Sequence, residues 1–127
     1  MPFQPGAVSA ITLFVDDLAA AKAFYARAFA LEPLMEDDDS VAFRFGSTIV
    51  NLLAEAAAPE LIAPASVARA DAGTRMQLTI PVDDVDAACA ELRQRGVELL
   101  NGPIDRPWGV RTAAFADPAG HVWEIAK

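Results

Sequence analysis

One histidine, one cysteine and eighteen aspartates and glutamates set the limits on acid–base, nucleophilic or metal chemistry in this chain of 127 residues. His121 and Glu124 lie three residues apart near the C-terminus. In an extended strand that spacing sends them to opposite faces, so they do not share a proton or a metal ion. His121 directly follows the turn sequence Asp117-Pro118-Ala119-Gly120 and is expected to stand in solvent. Cys89 falls in a helical stretch with no basic residue beside it, and reads as a small core residue rather than an activated thiolate. A lone cysteine also rules out an internal disulfide.

The aspartate pairs Asp16-Asp17 and Asp83-Asp84 read differently. Each follows an apolar strand-like run and precedes a helical pattern, where carboxylates cap free N–H groups and meet the positive end of the helix dipole. The net charge of −8 argues against nucleic acid or an anionic membrane as partner, because both require clustered Lys and Arg. It favours a neutral or cationic ligand. No apolar run reaches the roughly 18–20 residues of a membrane span. The start, Met1-Pro2-Phe3-Gln4-Pro5-Gly6, lacks a basic region followed by an apolar stretch, so no export signal and a cytoplasmic location are expected.

The elements that position these residues come in two copies. Ala10-Ile11-Thr12-Leu13-Phe14-Val15-Asp16-Asp17-Leu18 aligns with Gln77-Leu78-Thr79-Ile80-Pro81-Val82-Asp83-Asp84-Val85 at a constant offset of 67 residues. Each copy opens on an alternating strand and continues into a helix. One helical face carries Leu18, Ala21, Tyr25 and Ala28, the other Val85, Ala88 and Leu92. Gly96 ends the second helix. Three short strands follow in each copy, near 34–36, 40–45 and 48–53, then near 97–100, 111–116 and 122–126. The second copy carries a longer loop, from Gly102 to Gly109. Module one thus covers about residues 7–53, an Ala- and Pro-rich connector about 54–74, and module two about 75–127, all in a single α+β domain.

The opening strand with Val-Asp-Asp-Leu and Phe24-Tyr25, together with Arg106-Pro107-Trp108-Gly109 and Asp117-Pro118-Ala119-Gly120-His121-Val122-Trp123-Glu124, resembles the vicinal oxygen chelate superfamily. That group contains glyoxalases, bleomycin-resistance proteins and ring-cleaving dioxygenases. The resemblance implies two tandem βαβββ modules forming a curved eight-stranded mixed sheet around a cleft, with helices outside. It also implies a homodimer with clefts shared between subunits. In metal-dependent members, a divalent ion is held by side chains from the first and last strands of each module.

Carried onto this sequence, those four positions are Ala10, Asn51, Gln77 and Glu124. Alanine offers no donor, the two amides offer only neutral oxygens, and Glu124 alone carries charge. This set is too poor in histidine and carboxylate to hold Zn, Ni or Fe. No cofactor is therefore expected, a divalent metal being the alternative. The chain reads as nearest to the metal-free, bleomycin-resistance-like branch, binding a small aromatic or cationic molecule and conferring antibiotic resistance by sequestration. Phe14, Phe43, Asn51, Gln77, Trp108 and Glu124 are the expected ligand-binding residues, with Phe45 as a further wall residue. Trp123 reads as core. The alternative is a lyase, isomerase or dioxygenase-type enzyme using Glu124 as general base or metal ligand.

Overall fold

The computed structural model describes residues 3–127. Strand β1 (Ala10–Val15) leads into helix α1 (Leu18–Ala28), then β2 (Met35–Glu36), β3 (Ser40–Phe45) and β4 (Thr48–Ala54). The connecting region carries short 3-10 turns at Glu55–Ala57 and Ala70–Ala72 and one helical turn, α2 (Pro59–Ile62). Strand β5 (Gln77–Pro81), helix α3 (Val85–Gln94), β6 (Leu99–Asp105), β7 (Arg111–Ala116) and β8 (Val122–Ala126) complete the chain. The strands form two four-stranded mixed sheets, ordered β1-β4-β3-β2 and β5-β8-β7-β6. In each, the first strand runs parallel to the last and the remaining pairs are antiparallel. The expected α+β class and the βαβββ order of both halves are what the chain adopts.

The caps work as the aspartate pairs imply. Asp17 accepts a hydrogen bond from the Ala20 amide at 3.0 Å, and Asp84 accepts one from the Ala87 amide at the same distance. Helix α3 stops because Gly96 turns left-handed (φ +80°), which lets the Val97 amide reach back to the Leu92 carbonyl at 2.9 Å. Strand alternation also holds. Leu13 and Val15 of β1, and Trp123 and Ile125 of β8, are buried in one continuous core, while Ile11, Leu78, Ile80 and Val82 pack partly buried against it.

Strand β6 is longer than expected. It runs through Asp105, with register shifts against β7 on both sides of Asn101, and leaves only a tight turn at Arg106–Gly109. The reason lies at Gly102, whose φ is +93° and where a Cβ would stand 2.6 Å from the Ala113 Cα. Only glycine lets the two strands approach this closely. Pro103, with no N–H to donate, is tolerated because the ladder is already interrupted there.

Helix α1 joins the two halves. Its Tyr25 ring lies 6.0 Å from Phe43 of β3 and 6.0 Å from Trp123 of β8. Phe29, just past the helix end, lies 4.8 Å from Phe45 and 5.7 Å from Phe115 of β7. A polar network runs through this aromatic cluster. The buried Tyr25 hydroxyl donates to Asp117 Oδ2 at 2.6 Å and accepts from the Trp123 indole N–H at 2.9 Å. Asp117 Oδ1 in turn accepts from the amides of Ala119 and His121, both at 2.9 Å. Arg95 adds a further link between the halves by donating to the Ala28 carbonyl at 3.0 Å.

Burial, and then the neighbouring Asp117 carboxylate, push the Tyr25 phenol well above its ordinary value. In the unfolded chain it ionises near about pH 10, whereas the folded protein keeps its proton. The stability this proton contributes is complete below about pH 10 and is lost as pH rises further, because the unfolded state then binds fewer protons. Tyr25 is the only tyrosine, so ultraviolet absorption reports it directly. The phenolate band is expected to emerge together with unfolding rather than before it; a phenolate titrating near pH 10 in folded protein would contradict this account. Tyr25→Phe strands the Asp117 and Trp123 partners and is expected to lower unfolding free energy by about 2–4 kcal/mol in urea titrations.

Candidate functional site

The faces turned away from this core hold the residues that carry chemistry. On the first sheet, Thr12 of β1 stands beside Asn51 of β4 in the parallel register. On the second, Thr79 of β5 stands beside Glu124 of β8. The two pairs occupy equivalent places in the duplicated unit. Thr79 Oγ1 donates to Glu124 Oε1 at 3.0 Å, fixing one carboxylate oxygen and leaving the other to a ligand. Gln77 pairs with Val122 and Ala10 with Ile49, each one face-repeat before its threonine. Gln77, Thr79 and Ala10 are exposed, and Asn51 and Glu124 half-buried.

One expected site residue is placed otherwise. Phe43 is completely buried and stacked on Tyr25, so it cannot serve as a ligand wall. Alternation explains this: Val41, Phe43 and Phe45 share the helix-facing side of β3. Phe45 stacks on Trp123 at 5.2 Å from that same side. Trp123 itself is core, as expected. Phe14 is half-buried and lines a cavity of about 170 Å³ under the connector, together with Arg69, Arg75, Met76 and His121. Trp108 sits in the β6–β7 turn with 72 % of its surface exposed. Arg106 braces that turn by donating to Thr112 and Asn101, so the indole projects from a held backbone.

His121 is a correction. It is half-buried, and its Nε2 lies 2.9 Å from the Phe14 carbonyl of β1. Since a carbonyl only accepts, Nε2 carries the proton in this contact. The Asp117–Gly120 turn folds back on the other module, which strand alternation within one module does not reveal. Thr79 is the residue that sequence reasoning passed over. It falls on the cleft-facing side of its strand by alternation, but its role depends on the β5–β8 register. Burial pushes the Cys89 thiol up, in keeping with a core role.

A larger cavity of about 390 Å³ opens along β5, between the two sheets, with walls from Phe45, Val50, Leu78 and Trp123. Neither Glu124 nor Asn51 lines it. Among the described residues, no three His, Cys, Asp or Glu side chains converge as a metal site. The chemistry of the donor set is the stronger point: Ala10, Asn51, Gln77 and Glu124 do not fit a tightly held divalent ion.

Two βαβββ units, each a four-stranded mixed sheet with its helix on the outside and one open strand face, define a paired-module α+β protein. Residues 7–125 match the Glyoxalase/Bleomycin resistance protein/Dioxygenase superfamily, and the chain belongs to that superfamily. The uncharacterized protein YraH of Bacillus subtilis is 30% identical over 121 residues, covering 92% of this chain and 94% of its own. A lactoylglutathione lyase from Agrobacterium tumefaciens superposes with a TM-score of 0.76 at 25% identity, covering 96% of this chain and 93% of its own. A glyoxalase/bleomycin resistance protein/dioxygenase from Nocardioides gives a TM-score of 0.87 at 23% identity, covering 98% and 85%, a likeness of fold.

The Thr79–Glu124 pair lies outside the packed core, so it is expected to contribute little to folding. Thr79→Val and Glu124→Gln should each shift unfolding free energy by less than about 1 kcal/mol. A loss of about 3 kcal/mol in either variant would make the pair a structural element instead.

Proposed function

We propose that this protein binds a small aromatic or cationic organic molecule on its open strand faces, without a metal, in the manner of the bleomycin-resistance branch. The observation that carries this reading is the makeup of the open faces. They present one carboxylate, Glu124, held in place by Thr79, beside the neutral amides Asn51 and Gln77, with the exposed Arg44 of β3 further along the first face. This arrangement can complement a positive charge and hydrogen-bond donors, but it lacks the donors a Lewis-acid centre requires. Trp108, exposed on its braced turn, supplies a ring for stacking, worth about 0.5–1.5 kcal/mol beyond area burial. Phe14 supplies a second aromatic wall at the end of β1.

A homodimer with shared clefts suits the same geometry. The helix-facing sides of the sheets are packed within one chain, so the open faces remain to be covered. Exposed Met35, Leu100 and Trp108 lie on β2, on β6 and in the turn after it, away from the helix-filled core. The protein is proposed to act in the cytoplasm as a sequestering protein, with drug resistance the physiological outcome. No helix among the described residues is long and apolar enough to cross a membrane.

One observation favours a second reading. Thr79 occupies Oε1 of Glu124 and leaves Oε2 able to take a proton. That is the arrangement of an oriented general base, with Gln77 and Asn51 as donors to a developing oxyanion. The enzyme would then be of the lyase or isomerase kind.

Elemental analysis and calorimetry separate these readings. Purified protein is expected to carry no stoichiometric metal and to bind an acridinium dye saturably and unchanged. Glu124→Gln should weaken that binding by about 1 kcal/mol, roughly fivefold. Conversion of an added substrate that Glu124→Gln abolishes would favour the enzyme. Tightly held stoichiometric metal would sink the metal-free reading altogether.

A further inference from the structure

The cavity along β5 has a chemistry different from that of the open faces. No charged side chain lines it. At about 390 Å³ it falls within the size range of small-molecule sites, roughly 300–1,000 Å³. Both modules contribute: Phe45, Thr48 and Val50 from the first, Leu78, Thr79 and Trp123 from the second. The Phe45 ring stacks on the buried Trp123 indole with planes 19° apart, so the aromatic part of the wall is held rigidly from behind.

Its polar groups are already committed in one direction. Thr48 Oγ1 donates to the Val8 carbonyl at 3.1 Å, and Thr79 Oγ1 donates to Glu124 at 3.0 Å. A hydroxyl has a single O–H, so toward the cavity both threonines offer only lone pairs. The Trp123 indole N–H is likewise engaged, by the Tyr25 hydroxyl. The side chains lining the cavity thus present acceptors and apolar surface, and no free donor.

We propose that this groove is a second ligand site, adjoining the open face at Thr79, for a neutral aromatic molecule bearing a hydrogen-bond donor. A phenol or aromatic amine fits the walls and completes the two threonine acceptors. A carboxylate would meet no side-chain donor and no cation, and would lose much of its hydration without replacement. The inference does not rest on the cationic-ligand reading, since the two sites select opposite features.

The two tryptophans make the sites separable. Trp123 reports the groove and Trp108 the open face, through their indole N–H signals in nitrogen-edited NMR spectra. Titration of the intact protein with 2-naphthol is expected to shift Trp123, Phe45 and Thr48 saturably and to leave Trp108 unmoved. Naphthalene, lacking the donor, should bind roughly 2- to 10-fold more weakly. Binding of 2-naphthoate should be weaker by at least about tenfold. Phe45→Leu should weaken naphthol binding about 2- to 10-fold. Should that variant fail to fold, the ligand series on the unaltered protein decides the matter by itself.

Absence of a saturable shift at Trp123, or equal affinity for naphthol and naphthoate, overturns the proposal. Shifts confined to Trp108, Gln77 and Glu124 overturn it while leaving the open-face reading intact. Groove signals that broaden with protein concentration, without added probe, assign the groove to contact between two copies and likewise overturn it.

Discussion

The hydroxyl of Tyr25 sits at a buried point where both halves of the molecule meet. It is buried, it belongs to the helix of the first module, and both its partners, Asp117 and Trp123, belong to the second. Leaving such a group unpaired would cost about 1–3 kcal/mol, so the network admits few arrangements. The module contact is therefore directional, where an apolar contact would be free to slide. Asp117 carries this further, because the same carboxylate shapes the turn that brings His121 to the Phe14 carbonyl. Helix placement, turn shape and the seating of β1 follow from one buried cluster.

Much of this was legible in the sequence because it is local or repeated. Asp17 and Asp84 announce their helices through capping chemistry, and the alternation in β1, β5 and β8 separates Leu13, Ile80 and Trp123 from Thr12, Thr79 and Glu124. What remained hidden depends on contacts between elements that are apart in the chain. Phe43 is an aromatic on a strand, and nothing local shows that Tyr25 will stack on it. His121 follows a turn sequence, and only the docking of that turn on β1 takes it out of solvent. Gly102 shows the same limit on a smaller scale, since its need for glycine arises from Ala113 on the neighbouring strand.

The duplicated positions tell a story of unequal halves. Thr12 with Asn51 and Thr79 with Glu124 occupy matching registers, yet only the second pair carries a charge. The first module contributes most of the aromatic packing, through Phe24, Tyr25, Phe29 and Phe43. The second contributes the buried carboxylate of Asp117 and the half-buried one of Glu124. A protein built from two equal units thus places architecture chiefly in one and polar chemistry chiefly in the other.

The division between packed and open faces of the two sheets has a consequence for how such a chain can change over generations. Ala10, Thr12 and Gln77 take no part in the buried cluster that joins the modules. Selection on folding is accordingly weak there, and substitutions at these places are filtered by use alone. A lineage can lose one ligand, drift through neutral variants and acquire another while its interior stays fixed.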